Sequence, residues 1–182
     1  EDSGWCFIEA IISAGIKEGY LRLDLGKRTE EAMRGKYVDL MEVCTAKRPA
    51  PILPEEAARL LREVKIFTAG SDVDKVIELY RSFFEGVSQS TVKLSFGSLQ
   101  WGDAEAVQLS RVLGSGLLAS LEKLRLDSNQ IGDEGFKALA AAIAGGSSAS
   151  LKYLDLRGNQ ASQAGEDAIK AAAEQRSIKC LT

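Results

Sequence analysis

Two stretches of the chain place apolar and polar residues in the same order. "LEKLRLDSNQIGDEG" begins at Leu121, and "LKYLDLRGNQASQAG" begins thirty residues later at Leu151. In the first, Leu124 and Leu126 alternate with Lys123 and Arg125. Alternation of period two predicts a short strand with its leucines on the core side. Ile131 then returns to the core, and Phe136, Leu139, Ala140 and Ile143 recur at helical spacing. Asp133 is placed to cap that helix, and Gly145-Gly146 to end it. The second stretch repeats the scheme with Leu154, Leu156, Ala161, Ile169 and Ala173. Asn129 and Asn159 stand where the strands end. An amide there satisfies backbone groups on both sides of a buried turn, so both are read as structural residues.

The same step taken backwards gives "STVKLSFGSLQWGDAE" from Ser90, and a shorter step forwards gives "SIKCLT" from Ser177. Leu94, Leu124, Leu154 and Leu181 are matched on this basis. Cys180 then falls with Tyr153 and Lys123 on the outer strand face. A fixed period of this size predicts a solenoid, whose units bury their apolar faces by stacking. Trp101 is in phase with Ile131 and Ala161, hence a core residue. The outward strand positions are Lys93 and Ser95, then Lys123, Arg125 and Asp127, then Tyr153, Asp155 and Arg157. The last six are the candidate partner-binding residues, since Tyr and Arg are favoured at interface hot spots.

The first half has no such period. "SGWCFIEAIISAGIKEG" predicts a helix with Trp5, Ile8, Ile12 and Ile16 on one face, Ser3 as cap and Gly19 as its end. Residues 20–25 alternate like a strand, and 37–46 read as a second helix. Pro49, Pro51 and Pro54 mark a loop, with Pro54 suited to the first turn of "PEEAARLLREV". The next helix is capped by Ser71 or Asp72. Its broad stripe of Val73, Val76, Ile77, Tyr80, Phe83 and Phe84 is expected to cover the open end of the solenoid. The division expected is a partial α/β region over 1–48, a linker with capping helices over 49–89, and a solenoid of about three coils and a stub over 90–182.

Composition narrows the chemistry. The 182 residues are 45% hydrophobic and 27% charged, which fits a globular domain with a real core. A net charge of -3 speaks against nucleic-acid binding. Residues 17–48 hold eight Lys or Arg against six Asp or Glu, an excess small enough to be a solvated face. There is no histidine, which removes the usual general base and the commonest metal ligand. Cys6, Cys44 and Cys180 have no metal-site or disulfide spacing. Reduced thiols imply a reducing, intracellular compartment, cytoplasmic or organellar. No apolar run is long enough to span a membrane and no signal peptide is visible. A chain that opens on Glu1 with fold-interior residues is expected to lack an N-terminal portion. "GSGLL" and "AGGSS" are helix ends rather than phosphate loops. Asp103, Asp133 and Glu134 recur with the repeat and are read as caps. No cofactor or metal is expected.

Residues 90–182 resemble the leucine-rich repeat, L-x-x-L-x-L-x-x-N-x-I/L, and the "NQIGDEG" turn with its long helix resembles the ribonuclease-inhibitor subclass. The departures are Leu99 in place of the first asparagine, Ala161 for the isoleucine and Gln163 for the aspartate. The resemblance implies an α/β solenoid with a parallel sheet inside and helices outside, binding proteins through the sheet face, as a scaffold or accessory subunit of a larger assembly rather than an enzyme. "GWCFIE" is similar to the W-C-x-x-E helix of TIR domains. In NAD-cleaving members that resemblance makes Glu9 catalytic, in a longer chain carrying the missing strands, or in a sensor joining both halves. The whole arrangement also resembles leucine-rich-repeat proteins of unicellular algae.

Overall fold

The computed structural model of the protein describes residues 3–16, 34, 48–67 and 69–182. The expected strand at 20–25, the helix at 37–46 and the Gly19 stop lie outside these residues.

Four strands form one parallel sheet in the order β1-β2-β3-β4: β1 Lys93–Ser95, β2 Lys123–Arg125, β3 Tyr153–Asp155 and β4 Lys179–Leu181. Each of the first three strands is followed by an antiparallel return through a helix. These helices are α4 Asp103–Gly114, α5 Asp133–Ala144 and α6 Gln163–Gln175, and they stack α4 on α5 on α6. The period of thirty is therefore one turn of a solenoid, with Leu94, Leu124 and Leu154 in register. Leu109, Leu121, Leu124, Leu126, Ile131, Leu139 and Leu154 are fully buried between sheet and helices. Each such side chain contributes about 1.5–3 kcal/mol of burial, so stacking supplies the core that no single coil has.

The fourth strand corrects the register expected from the leucines. Cys180, not Leu181, pairs with Leu154, and Leu181 pairs with Asp155 on the outer side. The cause is Ile178. Its N–H donates to the Ala173 carbonyl at 2.8 Å and its side chain is buried. Period two from a buried Ile178 turns Cys180 inward and Lys179 outward. Cys180 packs against the core, and burial pushes its thiol up to about 11.

The asparagines stitch coils together. Asn129 is buried, donates to the carbonyls of Phe96 (2.7 Å) and Leu126 (2.9 Å), and accepts from the N–H groups of Leu99 (2.9 Å) and Trp101 (3.1 Å). Asn159 does the same between the second and third coils, donating to Leu126 and Leu156 and accepting from Ile131. The turn that lacks an asparagine, at Leu99, is thus served by the asparagine of the next coil.

Asp133 does not cap its own helix, as its position at the turn suggests. Gly132 is the N-cap of α5, and the donors there are taken by Asp103 of the preceding coil, which accepts from Gly132 N–H (2.7 Å) and Gly135 N–H (2.9 Å). Asp133 in turn accepts from the Ser162 N–H and hydroxyl, both at 2.7 Å, at the start of α6. These bonds hold its carboxyl below the usual range. Each aspartate supplies the helix start of the coil after it, where a carboxylate also complements the helix dipole. The contact is so close that a Cβ on Gly135 would lie 2.5 Å from Ile131 Cγ2 and 2.8 Å from Ala106 Cβ. Only glycine fits there.

Three more helices complete the described structure: α1 Gly4–Ile16, α2 Pro54–Glu63 and α3 Asp72–Ser90. Pro54 opens α2, and Ser71 is the N-cap of α3 without a side-chain hydrogen bond. At the start of α1 it is the Ser3 carbonyl that receives the Phe7 N–H. The buried face of α1 is Ile8 and Ile11, with Ile12 partly buried. Val76, Ile77, Tyr80 and Phe84 of α3 are buried, and the Tyr80 hydroxyl donates to the Ile52 carbonyl at 2.7 Å. Burial raises the Tyr80 phenol above its ordinary value. The first coil meets this region through Arg48. Its guanidinium lies 4.5 Å over the Phe96 ring and donates to the Ser95 carbonyl at 2.9 Å, while its own carbonyl accepts Trp101 Nε1–H at 2.7 Å. Trp101 is buried and stacks on Phe96 with 4.6 Å between ring centroids. Among the described residues β1 pairs with β2 alone, and Arg48 covers the Ser95 carbonyl of that edge strand.

Candidate functional site

The outward face of the sheet gathers the six candidate residues. Because the strands are parallel and in register, side chains of equal phase line up across them. One column is Lys93, Lys123, Tyr153 and Lys179; the next is Ser95, Arg125, Asp155 and Leu181. Asp127 and Arg157 stand two residues past the ends of β2 and β3. Gly97 occupies the matching position after β1, with the Asp127 carboxylate 3.0 Å from where a Cβ would stand.

Charges in the second column are neutralised locally. Arg125 forks onto Asp127, with Nε to Oδ1 at 3.1 Å and Nη2 to Oδ2 at 3.2 Å. Arg157 forks onto Asp155 at 2.9 and 2.7 Å, and the Tyr153 hydroxyl donates to Asp155 Oδ2 at 3.2 Å. Bidentate pairs of this kind fix orientation as well as charge. The Arg157 hydrogen bond holds the Asp155 carboxyl below its usual range, and the same bond raises Arg157 above its own; Asp127 raises Arg125 likewise.

Asp155 needs a correction. It stands in an outward position, yet only 1% of it is exposed, because Arg157 and Tyr153 fold over it. It positions those two side chains and is itself covered by them. Lys123, Arg157 and, in part, Tyr153, Arg125 and Asp127 are accessible. Lys179 belongs to this face although the leucine count hid it. Alternation from Ile178 was the signal for it. The inter-coil role of Asp103 and the sealing role of Arg48 had no local signal, since their partners lie about a coil or more away in sequence.

Other chemistry is sparse. Among the described residues no group of three or more His, Cys, Asp or Glu is placed to hold a metal. An apolar cavity of about 60 Å³ lies between α3 and the first coil, lined by residues such as Pro51, Tyr80, Phe84, Leu94 and Phe96. Glu9 is exposed on α1 and does not line it. Among the described residues no helix is long and apolar enough to cross a membrane.

A family model described as Leucine Rich repeat matches residues 118–140, the segment running from Leu118 through β2 and into α5. The chain carries a leucine-rich repeat. The matched unit is the one that holds Asn129, Asp133, Arg125 and Asp127, and the parallel sheet extends the repeat to its neighbours on both sides. The fold is a short α/β solenoid of that type. No curated protein matches the chain. A leucine-rich repeat suggests a module for protein–protein interaction.

Proposed function

We propose that this chain binds another protein through the outward sheet face and serves as a scaffold or accessory subunit of a larger assembly, with no reaction of its own. One observation carries the reading. The face is built from side chains held in place by intramolecular forks, Arg125 with Asp127 and Arg157 with Asp155 and Tyr153, so little rotamer freedom is lost when a partner arrives. The helix lengths and the "NQIGDEG" turn fit the ribonuclease-inhibitor subclass. Nucleic acid is a poor partner for a chain of net charge -3.

The test is affinity capture with the full chain from its source. One or a few proteins should co-purify near equal amounts, and Arg125→Ala with Tyr153→Ala should lose them while the melting transition persists. Capture that survives the double substitution would sink this face as the binding surface. A wild-type chain that retains no protein would sink the function.

A further inference from the structure

The two arginines of the sheet face are already held by aspartates, but its lysines are not. Lys93, Lys123 and Lys179 stand in register with Tyr153 between the last two. All three are exposed, and none makes an ion pair or side-chain hydrogen bond among the described residues. Among the described residues no carboxylate shares their column. The nearest in sequence, Glu122, bonds Lys152 at 2.6 Å and feels Lys123 only as a weaker, unbonded charge. Three like charges about 4.8 Å or a multiple of it apart repel one another, so the column has an electrostatic demand that the described residues leave unmet.

We propose, resting on the protein-binding reading above, that the column Lys93–Lys123–Tyr153–Lys179 receives an acidic segment of the partner protein laid across the strands. An extended segment places side chains of one face about 6.7 Å apart, and flexible lysine stems reach carboxylates at that spacing across strands about 4.8 Å apart. Tyr153, half-buried and fixed by Asp155, offers an aromatic surface at the centre of the line. A nucleic-acid backbone fits less well. The guanidinium forks that grip phosphate in two places, Arg125 and Arg157, are engaged with Asp127 and Asp155, and those carboxylates flank the column.

The experiment uses the full chain and a fluorescein-labelled, glutamate-rich decapeptide, followed by anisotropy at low and physiological salt. Saturable binding that weakens as salt rises is expected. Lys123→Gln with Lys179→Gln should weaken it by ~10-fold or more, since two rim charges are lost from one line. Lys75→Gln with Lys137→Gln, an equal change of charge off the face, should leave it unchanged. Any of these results would overturn the proposal: no saturable binding, equal loss in both double variants, a single-stranded decanucleotide binding as tightly as the peptide, or a captured partner held undiminished by Lys123→Gln with Lys179→Gln. The last spares the protein-binding reading and removes only the acidic partner. Failure of the wild-type chain to capture any protein removes both.

Discussion

The second and third coils begin with nearly the same phrase, yet their helices meet the next layer differently. Phe136 and Ala140 of α5 are buried where α6 stacks on them. The residues thirty positions on, Glu166 and Lys170, form an ion pair at 2.7 Å, and Glu166 also accepts from the Thr182 hydroxyl at 3.2 Å. Positions that face inward, Leu124 and Leu154 or Leu139 and Ile169, stay apolar in both coils. A repeat therefore has two kinds of position. Those facing its own sheet are set by the fold, and those facing the following coil depend on what lies there.

The sharpest break in this comparison is at Phe136. Phe136→Ala removes a side chain that is 1% exposed and should cost about 3–5 kcal/mol by denaturant unfolding. Glu166→Ala, its counterpart, should barely move the midpoint. Similar midpoint shifts for the two would mean that the faces do not differ as their packing indicates.

Asparagines give the next largest contrast. Asn129 is buried and ties the preceding coil to its own through its amide and its carbonyl oxygen, whereas Asn159 is half-buried and has fewer partners. Asn129→Ala leaves buried backbone groups without partners, at about 1–3 kcal/mol. Asn159→Ala should cost less, and a larger loss there by thermal melting would reverse the ranking.

Capping aspartates separate the coils more gently. Asp103→Ala takes two acceptor bonds from the start of α5 and should cost about 1 kcal/mol. Gln163 occupies the matching position of the third coil and bonds Asp167 within its own helix at 2.8 Å, so Gln163→Ala should stay within about 0.5 kcal/mol of wild type. Chemical denaturation of the two variants side by side checks this.

These contrasts also mark what a single sequence discloses. The sheet, its parallel order and the inward leucines follow from a period that repeats identity, so Leu94, Leu124 and Leu154 were legible at once. The register of β4 was not, because matching leucines by type competes with alternation, and the buried Ile178 decides for alternation. Asp133 looked like a cap for α5 because local spacing knows only the nearest helix. Its true acceptor role is at Ser162, one coil on. At the candidate site, the outward phase of Lys123, Arg125, Tyr153 and Arg157 was readable, but the burial of Asp155 arises from side chains that fold over it. Arg48 sealing β1 joins residues 47 apart, which no pattern along the chain expresses.

The smallest contrast is at the turn after each strand. Ser98, Ser128 and Gly158 occupy equivalent positions, and all three adopt left-handed backbone, with φ of 56°, 57° and 71°. A Cβ there costs about 1–2 kcal/mol against the conformation, while glycine loses about 0.5–1 kcal/mol through its greater freedom when unfolded. The balance favours glycine slightly. Ser128→Gly should therefore raise stability by about 0.5 kcal/mol, and Gly158→Ser should lower it by a similar amount. A Cβ on Gly158 meets Ser128 Cα at 3.4 Å, ordinary contact, so backbone strain and not crowding decides the sign. Urea titration of both variants and of the exchanged pair resolves it. If the pair sums to zero, the two turns are equivalent and the coils differ only in the faces they present to the next layer. If Gly158→Ser alone costs several times more, the third turn is specified by its own surroundings.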